Sequence, residues 1–194
     1  QMDPAARLPR FTVSKIPGGG SSQNVGPFAT HADAMKFVQI LGDAFDLCRD
    51  YRILEEVPHG RPCAYFDMGK CPAPCNGSIS LGRYRGMMTE AMIFAAGDRK
   101  TMFDEWDRWM REAAGQRDYE RACAFRQRIE RARGIEHRAF RHASLMDDFN
   151  YLVVQRGGGT TRVKPFFIRK GKIRPGNVIK MAEVDKNTAD WIEE

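Results

Sequence analysis

With 194 residues, the chain has room for one ordinary domain or two small ones. Hydrophobic residues at 42% supply a core beneath 29% charged ones, while a mean hydropathy of −0.52 and the lack of a long apolar run exclude a membrane-spanning helix. The net charge is +6 and no signal-like stretch opens the sequence, so the expectation is a globular, cytoplasmic protein with no membrane partner.

Residues 10–16 alternate well enough to predict a strand, broken by Gly18-Gly19-Gly20. Thr30, with Asp33 three residues on, reads as the cap of a first helix. Its apolar face is Ala34, Phe37, Val38, Leu41 and Phe45, and Cys48 falls at or near its end, pointing inward. A Pro- and Gly-rich loop follows over 57–77. A second helix is expected over 80–96, with Tyr84, Met87, Met88, Ala91, Ile93 and Phe94 as its apolar positions and Gly97 as its terminator.

Helices three and four read as a hairpin. Met102, Phe103, Trp106, Trp109, Met110 and Ala113 form one stripe, and Gly115-Gln116-Arg117 interrupts it. Asp118 caps the next helix, whose stripe is Tyr119, Ala122, Cys123, Arg126 and Ile129, with Cys123 as a small buried residue. The period then changes. Phe149 and Tyr151 to 154 predict a strand, Gly157-Gly158-Gly159 a turn, 163–168 a second strand and Lys170-Gly171-Lys172 another turn before Ile173. Together these make a small antiparallel meander.

Charge is unevenly distributed along this order. Residues 1–98 hold 10 basic and 10 acidic side chains, and 99–141 hold 12 and 8. From 156 to 180 there are 8 basic residues and no acidic one, and 181–194 reverse to 5 acidic against 1 basic. Such a block points to a polyanion, most often nucleic acid, with a merely solvated surface as the alternative. Arg156, Arg162, Lys164, Arg169, Lys170, Lys172 and Arg174 are the candidate phosphate contacts, with Phe166 or Phe167 available to stack on a base.

Five cysteines without a secretion signal argue against a disulfide framework. Cys48, Cys63, Cys71 and Cys75 cluster with the spacing C-x14-C-x7-C-x3-C, while Cys123 stands apart. Thiolates ligate zinc or iron, and only Cys71 and Cys75 make the short knuckle usual in zinc sites. Spacing leaves an iron–sulfur cluster, a zinc ion and unligated thiols all open. No catalytic constellation is evident. His31, His59, His137 and His142 fit no metal or triad spacing, Asp147-Asp148 reads as a turn, and the glycine triplets lack a phosphate-loop lysine. No small-molecule substrate is indicated.

Arg61-Pro62-Cys63, Tyr65-Phe66, and Gly69 through Cys75 in the run GKCPAPC, then Gly77, resemble the cysteine region of the UvrC family of DNA-repair excinucleases. Asn24-Val25-Gly26-Pro27-Phe28 is similar to the family's YFGPF, with Asn24 and Val25 in place of the two aromatics. Met110-Arg111-Glu112-Ala113 and Asp118 through Ala122 in the run DYERA, then Arg126 and Ile129, look like its UVR motif. Ile168-Arg169-Lys170-Gly171-Lys172 is similar to its IRxGK stretch. The resemblance covers roughly residues 9–175.

The resemblance implies that Cys48, Cys63, Cys71 and Cys75 ligate a [4Fe-4S] cluster, with zinc as the runner-up. It implies a UvrB-like helicase partner docked through Tyr119, Glu120, Ala122 and Arg126, although Tyr119 replaces a phenylalanine and Gln127 an aspartate. It also implies that both nuclease domains of the family lie outside this stretch, so no catalytic residue is assigned. The expected architecture is α+β and mostly helical, with a four-cysteine metal-cluster loop, a UVR helical hairpin and a C-terminal antiparallel β meander. Its parts are a cysteine-rich module with flanking helices over 1–98, the hairpin over 99–141, and a basic β segment with an acidic tail over 145–194. The expected function is a non-catalytic DNA-repair module that binds DNA and the UvrB-like helicase. The alternative is a protein-binding adaptor with a structural four-cysteine metal site and no DNA binding.

Overall fold

The computed structural model describes residues 1–157, 159 and 161–181, and the expected acidic tail lies outside them from residue 182 onward. The chain is α+β and divides into two compact units, Gln1–Leu145 and Met146–Glu194. Among the described residues no helix is long and apolar enough to cross a membrane.

The first unit is helical. α1 spans His31–Ala44, and Thr30 caps it as its spacing predicts: its hydroxyl oxygen accepts from the Asp33 amide at 3.1 Å and donates to the Asp33 carboxylate at 2.7 Å. Two one-turn helices follow, α2 (Tyr51–Leu54) and α3 (Ala64–Asp67). α4 (Leu81–Ala96) starts at Ser80, whose hydroxyl accepts from the Arg83 amide, and stops at Gly97, where φ is +130°. α5 (Arg99–Gly115) and α6 (Tyr119–Ala132) form the expected hairpin, with Asp118 accepting from the Arg121 amide. Beyond it, short turns carry Ile135 and Phe140 back into the core. A two-residue pairing of β1 (Val25–Gly26) with β2 (Ser144–Leu145) closes the unit.

Aromatic rings fill its centre. Trp106 of α5 lies 5.5 Å from Phe45 and from Phe94, and 5.7 Å from Phe103. Phe28, Phe37 and Phe140 make a second group, with Phe37 and Phe140 at 5.4 Å. Edge-to-face pairs of this kind add about 0.5–1.5 kcal/mol each beyond the area they bury.

Several local expectations are corrected. Residues 10–16 are not a strand: Thr12 exchanges backbone hydrogen bonds with Gln1, and no ladder continues from that pair. In α4 it is Met92 that is buried, while Met87 is half-buried and Ile93 is 47% exposed. In α6, Tyr119 is 69% exposed, and Phe125, absent from the expected stripe, packs 5.6 Å from Trp109. Cys123 is half-buried rather than buried, and its sulfur accepts from Gln127 at 3.5 Å. A hairpin of two helices buries a narrow seam, so positions at its margin stay wet.

The second unit is a small antiparallel sheet. β3 (Tyr151–Arg156) pairs with β4 (Arg162–Arg169), and β4 pairs with both β5 (Lys172–Pro175) and β6 (Ile179–Lys180). The turn at Lys170 and Gly171 needs two left-handed residues, at φ 50° and 73°, and Asn150 steadies it by accepting from the Lys170 amide. The meander has the expected strands, except that Phe149 precedes β3 and that the short strand β6 is additional to them.

Candidate functional site

After α1 the chain turns sharply at Asp46, a left-handed residue at φ 49°, and this delivers Cys48 to the interior at 4% exposure. Cys63 sits half-buried at the start of α3, where its carbonyl accepts from the Phe66 amide at 2.9 Å. Gly69 (φ +64°) then reverses the chain to bring in Cys71. Ala73, left-handed at φ 50°, turns it again into the single 3-10 turn Pro74–Asn76 that carries Cys75. Non-glycine residues in this conformation cost roughly 1 kcal/mol or more and are held only where surrounding contacts enforce them. Here two of them stand within two residues of a thiol. Gly60 completes the loop by donating its amide to the Cys75 carbonyl at 2.9 Å. A Cβ at Gly60 would lie 2.8 Å from the Ile53 carbonyl and 3.1 Å from Cys75 Cβ, so only glycine fits.

Cys48, Cys71 and Cys75 sense their neighbours. Contact with the Cys71 sulfur, then burial, raises the pKa of Cys48, and the same contact lowers Cys71 to about 7. The Cys48 thiol is also within reach of the Asp50 carbonyl, at 3.4 Å. Burial raises Cys75, with the neighbouring Cys71 and Cys63 adding to the effect. Backbone amides offset part of this: that of Ala73 approaches the Cys71 sulfur, and that of Asn76 approaches Cys75. Amides aimed at sulfur favour the thiolate, the form that binds metal. Among the described residues, no three His, Cys, Asp or Glu side chains are gathered into the donor set of a metal ion.

Two residues that sequence reasoning did not assign to the site shape this region. Arg49 pairs with Asp43 of α1, donates to the Lys70 carbonyl at 3.1 Å and stacks 4.6 Å over the Tyr65 ring, so it ties the cysteine loop to α1. Tyr84 of α4 is fully buried; its hydroxyl has no well-formed hydrogen bond, although the Cys48 backbone amide approaches its oxygen. Burial raises its pKa, and it lies close enough to Cys48 and Cys71 for their charges to act on it. Its place in the helical stripe gave a reason to bury the ring and no hint of where the hydroxyl would sit.

In the hairpin, Tyr119, Ala122 and Arg126 recur at spacings that put them on one side of α6. Tyr119, Glu120 and Arg126 are exposed and Ala122 is half-buried, with Arg126 4.0 Å from Glu130. The opposite side of α6 points inward, where Arg131 and Arg128 meet Asp46 at 3.1 and 3.9 Å.

The basic strand residues do not share one surface. Alternation puts Arg156, Arg169, Lys172 and Arg174 on one face of the sheet, around Phe167, which pairs with Arg174. Arg162 and Lys164 lie on the other face with Phe166. Lys170 sits in the turn, 3.8 Å from Asp147.

Comparison with known proteins gives this geometry a context. Residues 1–94, which contain all four clustered cysteines and Tyr84, match the family "UvrC/Cho excinuclease, middle domain". The similarity to UvrABC system protein C runs well beyond that stretch. It reaches 27% identity over 86% of this chain in Dehalococcoides mccartyi, 28% over 95% in Syntrophus aciditrophicus and 29% over 85% in Methanothermobacter thermautotrophicus. The chain is thus similar to these proteins over most of its length, and to the family's middle domain over its first 94 residues. It spans only 27%, 30% and 28% of those three relatives, so it corresponds to one section of a longer architecture. No solved structure matches it. Within the chain, the cysteine loops fall inside the family match, whereas the hairpin and the sheet are covered by the relatives alone.

Proposed function

We propose that this UvrC-like chain is a non-catalytic module of nucleotide excision repair. It carries a [4Fe-4S] cluster on Cys48, Cys63, Cys71 and Cys75, holds DNA through the sheet, and docks a UvrB-like helicase through the exposed side of α6. The observation that carries the reading is that all four clustered cysteines, with Cys48 and Cys71 in direct contact, fall inside the stretch that matches the UvrC/Cho middle domain.

The chemistry of the residues fits such a group, although their sulfurs are not gathered around one point in this structure. Four thiols are the donors a cluster takes, amides already approach two of the sulfurs, and the Tyr84 hydroxyl lies beside Cys48 without an acceptor. When bound, the cluster supplies a four-point cross-link and a one-electron redox centre. The protein's part is to hold the loops. Arg49 binds the loop between Cys63 and Cys71, Gly60 binds the turn of Cys75, and Asp46 is clasped from α6. Cys48 and its partners thus stand between the helical core and the hairpin.

In the sheet, Arg156, Arg169, Lys172 and Arg174 are placed to meet backbone phosphates from one side, a sequence-independent and salt-sensitive mode of binding. On the hairpin, Tyr119, Glu120 and Arg126 are open to a partner helix.

Iron and acid-labile sulfide analysis with a visible spectrum, on protein purified without oxygen, tests the central claim. About four irons and four sulfides per chain are expected. One zinc without sulfide would replace the cluster with a structural ion, and an empty protein would remove the claim altogether.

A further inference from the structure

Phosphate contact accounts for one face of the sheet and leaves the other unexplained. Register puts Tyr151, Ile168 and Ile173 in one cross-strand row and Val153, Phe166 and Pro175 in the next, opposite Arg169, Lys172 and Arg174. Tyr151 is 56% exposed, Val153 46% and Ile173 66%. The face changes character along β4, where Lys164 and Arg162 follow Phe166 at two-residue steps, and Lys164 Nζ lies 5.5 Å from the Phe166 ring centroid.

Charge decides what would cover these rows. Residues 149–181 contain eight Lys and Arg and no Asp or Glu. An apolar protein contact has no need to exclude carboxylates over a whole sheet, but a polyanion does. Duplex DNA presents charged phosphates outward and buries its bases, so two apolar rows gain nothing from it. Unpaired nucleotides present both ring faces and phosphates, matching aromatic and basic side chains set along one strand.

We propose that this face is a binding platform for unpaired nucleotides, with bases stacked on Tyr151 and Phe166 and the adjoining phosphates met by Lys164 and Arg162. The inference rests on the DNA-binding reading above and assigns single strands to this side of the sheet. Tyr151 lies on an edge strand, where a base can approach its ring without displacing a neighbouring strand.

Fluorescence anisotropy with an oligo-dT of about 15 nucleotides and a duplex of equal length, at low and high salt, tests it. The oligo-dT should bind about tenfold more tightly than the duplex. Tyr151→Ala should weaken oligo-dT about tenfold and change duplex affinity by less than about twofold. Tyr151→Trp should retain the affinity and show indole quenching on binding, which guards against a merely misfolded alanine variant. Duplex binding that persists while neither substitution alters oligo-dT affinity would overturn the platform and leave the DNA-binding reading standing. No binding of either probe would overturn both. Self-association that Tyr151→Ala abolishes, with oligo-dT affinity unchanged, would make the face a contact between copies and would also sink the proposal.

Discussion

Trp106 in the first unit is 2% exposed and touches three aromatic rings, whereas Tyr151, Leu152, Val153 and Val154 in the second are each at least 37% exposed. In the described part of the sheet, only Val163 and Pro165 are buried. The first unit is therefore held by its own core, and the cysteine loops are an irregular insertion braced against that core. The second has backbone pairing and little else, and a sheet of this size exposed on both sides is marginal without something to cover it. Burial, rather than regularity of secondary structure, separates the part that makes a scaffold from the part that makes a surface.

The largest effect should come from the scaffold. Trp106→Ala removes the ring shared by Phe45, Phe94 and Phe103 and should cost about 3–5 kcal/mol in urea unfolding. Val163→Ala in β4 deletes two buried methyl groups and should cost no more than about 1.5 kcal/mol. Equal losses would mean that the sheet has a core as essential as that of the helices.

Metal removal should divide the first unit more finely. Chelation under reducing conditions is expected to abolish amide-exchange protection over residues 48–77 and leave α4 and the hairpin protected. The loop rests on single-turn helices and left-handed residues, whereas α4, α5 and α6 bury continuous stripes. Collapse of the whole unit would make the cluster a nucleus of the core rather than a staple beside it.

Regular elements were legible because each leaves a local mark: Thr30 and Ser80 as caps, Gly97 as a stop, and the β-branched and aromatic runs of β3 and β4. The cysteine set could be named from spacing and resemblance. What could not be read was whatever depends on distant partners. Arg49 follows a cysteine and looks like any surface arginine, and only the folded chain brings it to Asp43, Lys70 and Tyr65 together. The split of the basic block has a different cause. A charge count ignores the two-residue period of a strand, and register alone decides that Arg162 and Arg174 lie on opposite faces.

The brace between hairpin and cysteine loop gives an intermediate effect. Arg131 lies 3.1 Å from Asp46 and reaches the Asp43 carbonyl at 3.5 Å, so one side chain joins α6 to the turn before Cys48. Both charged groups keep about a third of their surface in water, which limits the pair to about 1 kcal/mol. Arg131→Ala should lower stability by about that amount, and a double-mutant cycle with Asp46→Ala should return a coupling of at least about 0.5 kcal/mol. Purely additive losses would show that the hairpin and the loop are neighbours without being linked.

The smallest effect should come from Tyr84, and it separates two roles for one buried hydroxyl. Without metal, Tyr84→Phe removes a buried hydroxyl that has no acceptor for its proton and only a weak approach from the Cys48 amide, so stability should be unchanged or rise by up to about 1 kcal/mol. With the cluster loaded, the same hydroxyl would donate toward sulfur, and its loss should lower the reduction potential, because hydrogen bonds to the sulfurs stabilise the more negative, reduced state. A small gain in the metal-free protein together with a lower potential in the loaded one would establish that the fold leaves this donor unpaired for the cluster's use. The same gain with an unchanged potential would make Tyr84 a ring that fills the core, its hydroxyl aimed at nothing.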